Sequence, residues 1–387
     1  MSSKLRFADT QASVLLDAVR GLAAVVVVIE HWRNLFFVDY NQVALHRVLF
    51  APLYLLASAG HQAVMIFFVL SGYLISGSVF RMFEQLRWSW ETYTVHRLLR
   101  LWIVLIPGLL LTAVLDAAGT HIHRLPASLL YGGSYPNHMT GNVAYHEGWV
   151  TGFGNILFLQ GIKVQTFGSD GALWSLANEF WYYVLFPLGY IAFRSKSSRK
   201  TRVVSTVLFL AVAMWLPHGI LVGFPIWLLG AVLTRLRPPA FRAAGRWFAS
   251  AVYMVLFFGF ARLPSLQGAW ADPALGLITL GWLWLLLSAS DTPAMNGLRT
   301  KSARSLARFS FTLYVVHTPI LMLFAALTLP VTRWQPRGAV LLQGAVFLVI
   351  TLTAAWLIAS ITEFQTDRLR GRIEHRLKLQ VAPLRTS

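Results

Sequence analysis

Residues 14–36 read VLLDAVRGLAAVVVVIEHWRNLF, and this stretch decides the fold. It exceeds the roughly 20 apolar residues that an α-helix needs to cross the hydrocarbon core of a membrane. The same stretch carries Asp17, Arg20, Glu30 and His31, although an ionisable side chain inside a membrane costs at least about 2.5 kcal/mol. The pattern therefore predicts a transmembrane helix whose ionisable residues have a function. The alternative is structural, with Arg20 paired to Asp17 for insertion and His31 bonded to a neighbouring carbonyl.

Further apolar stretches recur along the chain at residues 62–80, 98–117, 172–193, 203–217, 219–234, 247–261, 272–289, 309–329 and 338–361. The division of 203–234 into two stretches rests on the turn signal Pro217-His218-Gly219. Only 12% of the residues are charged and the mean hydropathy is +0.59, whereas soluble domains carry roughly 25% charged residues. The sequence therefore predicts an all-α polytopic membrane protein with about ten transmembrane helices.

The basic residues indicate an orientation. The chain has 33 Lys and Arg against 15 Asp and Glu, a net charge of +18. If the N-terminus is placed in the cytoplasm, 25 of the basic residues fall in inner segments and 7 in outer ones, with Arg20 inside the first span. This bias predicts that both termini are cytoplasmic, and it explains the charge without a nucleic-acid partner. We expect a membrane domain over residues 1–365, a basic cytoplasmic tail over 366–387, and no second soluble domain.

One predicted outer loop, residues 118–171, is long enough to suggest a function. Residues 131–138 are rich in Tyr, Gly, Asn and His and, together with Trp149, would suit stacking against a sugar. Residues 149–168 are partly apolar but too short to span, so we expect them to re-enter the membrane or to lie on its surface.

The ionisable residues of the first span form a stripe. Arg20 and His31 are 11 positions apart, so they share one helix face about 16 Å apart along the axis, and Asp17 lies one turn below Arg20. Glu179, in the fourth span, is expected at nearly the depth of His31, where the two side chains would form a pair of base and orienting carboxylate. A structural His–Glu hydrogen bond, or a contact of Glu179 with Arg33, stays open as the simpler alternative.

Each of the other polar residues in the spans has a structural and a functional interpretation. Ser71 is either part of a close helix contact or, less plausibly, a nucleophile. Arg97 and Arg100 lie on one helix face at the predicted cytoplasmic surface, where they either anchor the helix or bind phosphate. His317, two residues before Pro319, either bonds a carbonyl freed by a proline kink or has a functional role.

The sequence lacks the motifs of several common catalytic and binding sites. There is no cysteine, which excludes disulfides and a cysteinyl acyl-enzyme, and HExxH, GxGxxG, Walker A and GxSxG patterns are missing. His121 and His123 have no nearby acid that would complete a metal site, so we expect no metal. Before any resemblance is considered, an enzyme, a proton-coupled transporter or flippase using His31 and Glu179, and a membrane scaffold all remain open, and the polar stripe argues against the scaffold.

Six segments resemble, in order, the motifs of the acyltransferase-3 family of membrane-bound acyltransferases. They are residues 17–24 (Asp-x-x-Arg-Gly-x-Ala-Ala), Arg20 with His31 (Arg-x10-His), 67–75 (Phe-Phe-Val-Leu-Ser-Gly-aromatic-Leu-Ile), 97–100 (Arg-x-x-Arg), 174–179 (Trp-Ser-Leu-x-x-Glu) and 310–319 (Ser-x-x-Leu-Tyr-x-x-His-x-Pro). Many members carry a second glutamate directly after the first, and here that position is Phe180.

The resemblance implies transfer of an acyl group, most often acetyl, from cytoplasmic acyl-CoA to a hydroxyl of a carbohydrate, glycolipid or related acceptor. The implied setting is a bacterial inner membrane, with membrane lipid as a partner and no metal cofactor. The resemblance assigns catalysis to His31 and Glu179, and it assigns CoA binding to Arg20, Arg97 and Arg100. Substrate contacts or supporting roles fall to Asp17, Ser71, Tyr73, Trp174, Ser175, Tyr314 and His317. The transporter reading is the alternative, and the oligomeric state is left open.

Overall fold

Helices account for the regular structure in the computed structural model, which describes residues 7–135 and 148–376. Within those ranges there is no β-strand, so the all-α prediction is confirmed. The helices are α1 (Gln11–Phe36), α2 (Arg47–Leu56), α3 (Gly60–Glu84), α4 (Trp90–Thr120), α5 (Leu125–Tyr131), α6 (Trp149–Ile156), α7 (Trp174–Phe193), α8 (Arg199–Trp215), α9 (His218–Leu233), α10 (Ala243–Arg262), α11 (Ala271–Leu286), α12 (Leu298–Arg308), α13 (Ser310–Thr328), α14 (Gly338–Ile361) and α15 (Thr366–Arg376).

Seven segments of the described chain are long and apolar enough to cross a membrane. They are Gln11–Phe36, Arg47–Glu84, Trp90–Thr120, Ala243–Arg262, Ala271–Ala289, Ser310–Thr328 and Gly338–Arg376. The other three predicted spans form α7, α8 and α9 at the expected positions, with 20, 17 and 16 residues, and α8 and α9 separate at Leu216–Pro217 as the turn signal indicated. The structure thus supports a membrane protein, and the count of ten stays a prediction.

The two ends of the bundle can be identified from its loops. Where α1 begins, Gln11 N donates to Thr292 O at 2.8 Å, which places the segment between α11 and α12 at the same end. Where α1 ends, Trp334 N donates to Phe36 O at 2.8 Å, which places the α13–α14 connection at the opposite end. We term these ends the N-terminal side and the far side.

The closest helix contact joins α3 to α9 through glycines. A Cβ atom on Gly72 would overlap the carbonyl oxygen of Trp227, and one on Gly230 would overlap the carbonyl oxygen of Val69. Because these two glycines have no side chains, the backbones of α3 and α9 are in contact. Small residues bring membrane helices together in this way. The close-packing reading of the Ser71-Gly72 segment is therefore confirmed for Gly72, and the contact holds Ser71 at the interface.

Replacing Gly72 by Ala is expected to lower the free energy of unfolding by about 1–3 kcal/mol or more, because a new methyl group would push against backbone rather than against a flexible side chain. Gly281, in α11, is the matched control because nothing lies within 4 Å of its Cβ position. Thermal unfolding of the two purified variants in detergent measures the difference. Equal melting temperatures for Gly72→Ala and Gly281→Ala would contradict the close contact.

Two regions predicted as a loop and a tail are partly helical. In the predicted outer loop, α5 and α6 are formed, and the exposed α6 residue Trp149 is 77% accessible. Part of the predicted sugar-stacking segment, residues 136–138, lies outside the described residues. In the tail, α15 packs against α4, where His96 Nε2 lies 2.6 Å from Glu374 Oε1, and residues 377–387 are outside the described range. Helix α15 is therefore part of the N-terminal side of the bundle.

Candidate active site

A cavity of about 330 Å³ lies inside the bundle, between α1, α3, α4, α7 and α13. We term it the central cavity. Most of its wall is apolar, and it also holds seven of the residues predicted or implied to be functional. The wall consists of Arg20, Val64, Phe67, Phe68, Leu70, Ser71, Leu74, Ile75, Arg97, Arg100, Leu101, Ser175, Leu176, Glu179, Tyr183, Ser310, Phe311, Tyr314 and Glu363.

A second cavity of about 340 Å³ lies next to it, toward the N-terminal side, and we term it the arginine cavity. Its wall contains five arginines and only two carboxylates. The wall consists of Arg20, His96, Arg97, Leu99, Arg100, Ala307, Arg308, Phe311, Glu363, Phe364, Thr366, Asp367 and Arg370. Arg20, Arg97, Arg100, Phe311 and Glu363 line both cavities, so the two spaces adjoin at a wall of guanidinium groups.

The shared arginines retain unused hydrogen-bonding capacity. Arg20 Nη2 donates to Asp17 Oδ1 at 3.3 Å, as the stripe on α1 predicted, whereas Arg20 Nε is buried without a partner. The Arg97 guanidinium lies 5.6 Å from the centre of the Tyr93 ring, and its Nε is also buried and unpaired. Guanidinium groups held together in this way suit a phosphate-type anion. Arg97 thus lines both internal cavities, and phosphate binding by it stays a prediction.

Glu179 forms a hydrogen-bonded group in the wall of the central cavity. Its Oε1 accepts from Ser71 Oγ at 2.9 Å and from the hydroxyl of Tyr183 in a short contact. Trp227 Nε1 donates to Ser71 Oγ at 3.2 Å, which fixes the serine in turn. Oε2 of Glu179 is left to meet a donor inside the cavity. Tyr183, one helical turn after Glu179, was not among the predicted site residues, although the i,i+4 spacing could have indicated it.

The predicted pairing of His31 with Glu179 is wrong, as is the alternative contact of Glu179 with Arg33. His31 Nδ1 lies 2.7 Å from His317 Nε2, and Arg33 pairs with Asp39. The reason is that Glu179 and the histidine pair lie at different depths along the bundle axis. Ser175 meets Tyr314 at 2.6 Å, and from that level Glu179 lies about 6 Å toward the N-terminal side while His317 lies about 4.5 Å toward the far side.

The hydrogen-bond partners of His31 and His317 indicate which ring nitrogen of each neutral histidine carries the proton. The Leu313 carbonyl, 3.0 Å from His317 Nδ1, can only accept, so His317 Nδ1 carries a proton. In a neutral ring His317 Nε2 is then a lone pair, which accepts from His31 Nδ1. His31 Nε2 is therefore left with a free lone pair, the form that a general base requires. His317 thus bonds a carbonyl of its own helix, but this is the Leu313 carbonyl and not the Val315 carbonyl that Pro319 leaves without its helical donor. A functional role of His317 stays a prediction.

Tyr314 lies between the central cavity and the histidine pair. Its ring centre is 6.0 Å from that of His317, and its hydroxyl donates to Ala172 O at 3.0 Å. His31 and His317 themselves are not part of the cavity wall. The tyrosine therefore marks the far-side end of a path that starts at the arginine cavity.

Two implied substrate residues lie away from both cavities. Tyr73 packs near Phe7, with ring centres 6.4 Å apart, and Trp174 packs edge-on against Phe68 at 6.4 Å. Phe180, which replaces the second glutamate of many acyltransferase-3 sequences, stacks on Phe158 with ring centres 4.3 Å apart. An acid at Phe180 would have no place in this aromatic contact.

Two acids of the site were missed. Glu363, just after α14, accepts from Thr312 N at 3.0 Å and from its hydroxyl at 2.8 Å, and it faces both cavities. Asp170, in the connection before α7, is fully buried and lies outside both cavity walls, near Tyr314. Burial raises the pKa of Asp170 well above its ordinary value, and the neighbouring Asp116 adds to the shift. Neither acid lies in a motif, so only the fold identifies them.

Comparison with known proteins gives one match. A family model described as an acyltransferase domain matches residues 14–360. Neither the curated proteins nor the solved structures that were compared gave a match. The matched range includes both histidines and the whole wall of the central cavity except Glu363. Among the described residues there is no group of three or more His, Asp or Glu side chains that could hold a metal ion.

Proposed function

The chain belongs to the acyltransferase-3 family, and from this premise we propose that it transfers an acyl group, most simply acetyl, from acyl-CoA to a hydroxyl of a carbohydrate or related acceptor. The observation that carries the proposal is that the two cavities adjoin and share five lining residues, three of them arginines. One end is lined by guanidinium groups suited to phosphates, and the middle is largely apolar. The other end is closed by Tyr314, which packs beside His317, the hydrogen-bond partner of His31.

In this proposal the donor enters from the cytoplasm, on the N-terminal side. The excess of basic residues in the segments at this end supports the orientation. The CoA phosphates bind to Arg20, Arg97 and Arg100, where two buried Nε groups have no other partner. The pantetheine arm extends through the central cavity, and its amide N–H groups are suitable donors for Glu179 Oε2. The thioester is thereby directed to Tyr314.

The proposed chemistry uses His31 as the general base. His31 Nε2 takes the proton of the acceptor hydroxyl, the acceptor oxygen forms a bond to the thioester carbonyl carbon, and the C–S bond breaks. The proton on His31 then passes to the CoA thiolate, so the products are an ester and free CoA. Arg20 and His31 are about 16 Å apart along α1. The extended donor spans this distance, so an acceptor approaching from the far side of a bacterial inner membrane is acylated without transport of CoA.

The test is loss of the acetyl-CoA thioester by the purified protein in lipid nanodiscs, with and without a lysate of candidate acceptors. Turnover that depends on an acceptor, together with label from acetyl-CoA in a carbohydrate fraction, would support the proposal. No thioester loss and no CoA binding, combined with proton-coupled flux of a glycolipid or small acid into vesicles, would replace it with the transporter reading.

Recognition of the 3′-phosphate of CoA is a sharper prediction. Arg308 and Arg370 line the arginine cavity but not the central cavity, so they are placed for the end of the donor farthest from the thioester. Arg370→Gln is expected to raise KM for acetyl-CoA about tenfold, since a hydrogen bond to a charged group contributes about 1.5–3 kcal/mol. KM for acetyl-dephospho-CoA, which lacks this phosphate, is expected to stay nearly constant.

Arg372→Gln is the matched control for Arg370→Gln. Arg372 lies on the same helix and loses the same charge, but it lines a separate surface groove instead of the arginine cavity. Steady-state kinetics with both donors measures the effect. An equal rise of KM for the two donors in Arg370→Gln, or an equal effect of Arg372→Gln, would contradict a contact with the 3′-phosphate.

A further inference from the structure

Four arginines gather at the far side of the bundle, remote from the arginine cavity. Arg33, Arg47, Arg262 and Arg333, here termed the far-side arginine cluster, surround Asp39. A groove of about 380 Å³ lies among them, with Arg33, Asp39, Tyr40, Arg47, Tyr54 and Arg262 in its wall. The arginines come from α1, α2, α10 and the α13–α14 connection, so the fold assembles the cluster from distant parts of the chain.

One carboxylate serves two of these arginines. Asp39 accepts from Arg33 Nη1 at 3.0 Å and from Arg333 Nη2 at 2.8 Å. The other two have uncharged partners, since Arg47 lies 4.4 Å from the centre of the Tyr40 ring and Arg262 Nη2 donates to Tyr54 O at 2.7 Å. The groove is therefore positively charged.

The remaining acids nearby do not neutralise the cluster. Glu30, one helical turn before Arg33 on α1, interacts electrostatically with Arg33 and Arg262 but is not part of the groove wall. Asp272 is paired with His61, 2.9 Å away. Counted over residues 7–135 and 148–376, and with Glu30 included, four guanidinium groups face two carboxylates.

Arg33 has an unused donor in the groove. The residue is only 8% exposed, and its Nε is buried without a hydrogen-bond partner. The Arg33 and Arg262 guanidiniums lie close enough to repel each other. Unpaired buried donors and like charges at close range are both costly. An oxyanion in the groove would remove both costs, because it accepts from several guanidinium groups at once.

The setting of the groove indicates where the anion comes from. Only 7 of the 33 basic residues fall in the segments predicted for this side, yet four of those seven meet here. Helix α2, which carries Arg47, exposes Val48 and Leu49 at 83% and 74%. A short helix with exposed apolar residues beside a basic one is typical of an element that lies in the membrane surface.

We propose that the far-side arginine cluster binds the phosphate of an anionic lipid headgroup. The site is independent of the acyl-transfer proposal, because it uses none of the residues around either internal cavity. Its ligand chemistry is a phosphate-type oxyanion, and the exposed apolar residues of α2 favour a lipid as the source over free phosphate.

The experiment is thermal unfolding of the full chain in detergent with increasing short-chain phosphatidylglycerol, phosphatidylcholine or inorganic phosphate. Phosphatidylglycerol is expected to raise the melting temperature more than phosphatidylcholine does. The double variant Arg47→Gln/Arg262→Gln is expected to raise the apparent Kd for phosphatidylglycerol about tenfold or more. Arg337→Gln, on the same predicted side but outside the cluster, is expected to leave this Kd unchanged.

If the double variant fails to fold, the single variant Arg47→Gln keeps the result interpretable. The Arg47 side chain is exposed, and in the described structure it donates no hydrogen bond to the backbone, unlike Arg262. A shift with phosphatidylglycerol only, weakened by Arg47→Gln, supports a lipid headgroup site. The same arginine-dependent shift with inorganic phosphate supports the anion site with free phosphate as the source. No shift with either anion, or a shift that Arg47→Gln and Arg337→Gln change equally, would overturn the proposal.

Discussion

Replacing His31 with Asn is expected to lower kcat for acyl transfer by about 10²- to 10⁴-fold, the usual contribution of a general base. The asparagine amide can still donate to His317 Nε2 from near the position of Nδ1, so the contact between α1 and α13 is kept. What the variant lacks is the Nε2 lone pair. KM for acetyl-CoA is expected to change little, because the arginines that would bind the donor line the arginine cavity, and one of them, Arg20, lies about 16 Å from His31 along α1.

The measurement is single-turnover release of CoA from acetyl-CoA with saturating acceptor, alongside the melting temperature of each variant. His121→Asn is the matched control, since His121 Nδ1 contacts the Ala117 carbonyl at 2.7 Å at the end of α4 and no part of the site. Full activity of a folded His31→Asn protein would remove His31 from the chemistry and leave the acyltransferase assignment to be explained by another base.

The second large effect concerns His317, which acts through His31 as a positioning residue. His317→Leu is expected to lower kcat about 10- to 100-fold, because His31 Nδ1 would lose its acceptor, and a buried donor without a partner costs about 1–3 kcal/mol. His317→Gln is expected to recover much of this loss. Its side-chain oxygen can take the place of Nε2 and accept from His31, and it restores the orientation of the ring.

Recovery by Gln distinguishes positioning from packing. Leu fills the space left by His317, so a purely structural role predicts that the Leu variant performs at least as well as the Gln variant. Rates of CoA release for the two variants, at matched melting temperature, decide between the two roles. Equal kcat values for His317→Leu and His317→Gln would show that the hydrogen bond to His31 has no part in catalysis.

Features that lie within one helix were predicted well from the sequence. The Asp17–Arg20 pair and the separation of Arg20 from His31 follow from the helical repeat alone. The apolar stretches placed the ends of the long helices within about four residues, except the start of α4, which begins at Trp90 and not at residue 98. A membrane allows few other ways to satisfy the backbone. Gly72 was identified as a packing residue for the same reason, since small residues in a span have few other uses.

Features that depend on how helices are offset could not be predicted. The sequence gives no measure of the depth at which α7 begins relative to α1, and this offset moves Glu179 away from His31 and toward Ser71. Glu363 and Arg370 lie after the last apolar stretch, where the pattern indicated only a basic tail. Their place at the cavities depends on the docking of α15 against α4, a tertiary contact with no periodic signal.

The tyrosine between the central cavity and the histidine pair has a consequence for the cell as a whole. A passage that admits a charged donor from one side and an acceptor from the other is also a route by which protons could leak down their electrochemical gradient. Under the proposed function, Tyr314, held by Ser175 and the Ala172 carbonyl, closes that route. In this proposal, the side chain that ends the donor path also insulates the membrane, so that the energy stored across it is kept while the enzyme is at rest.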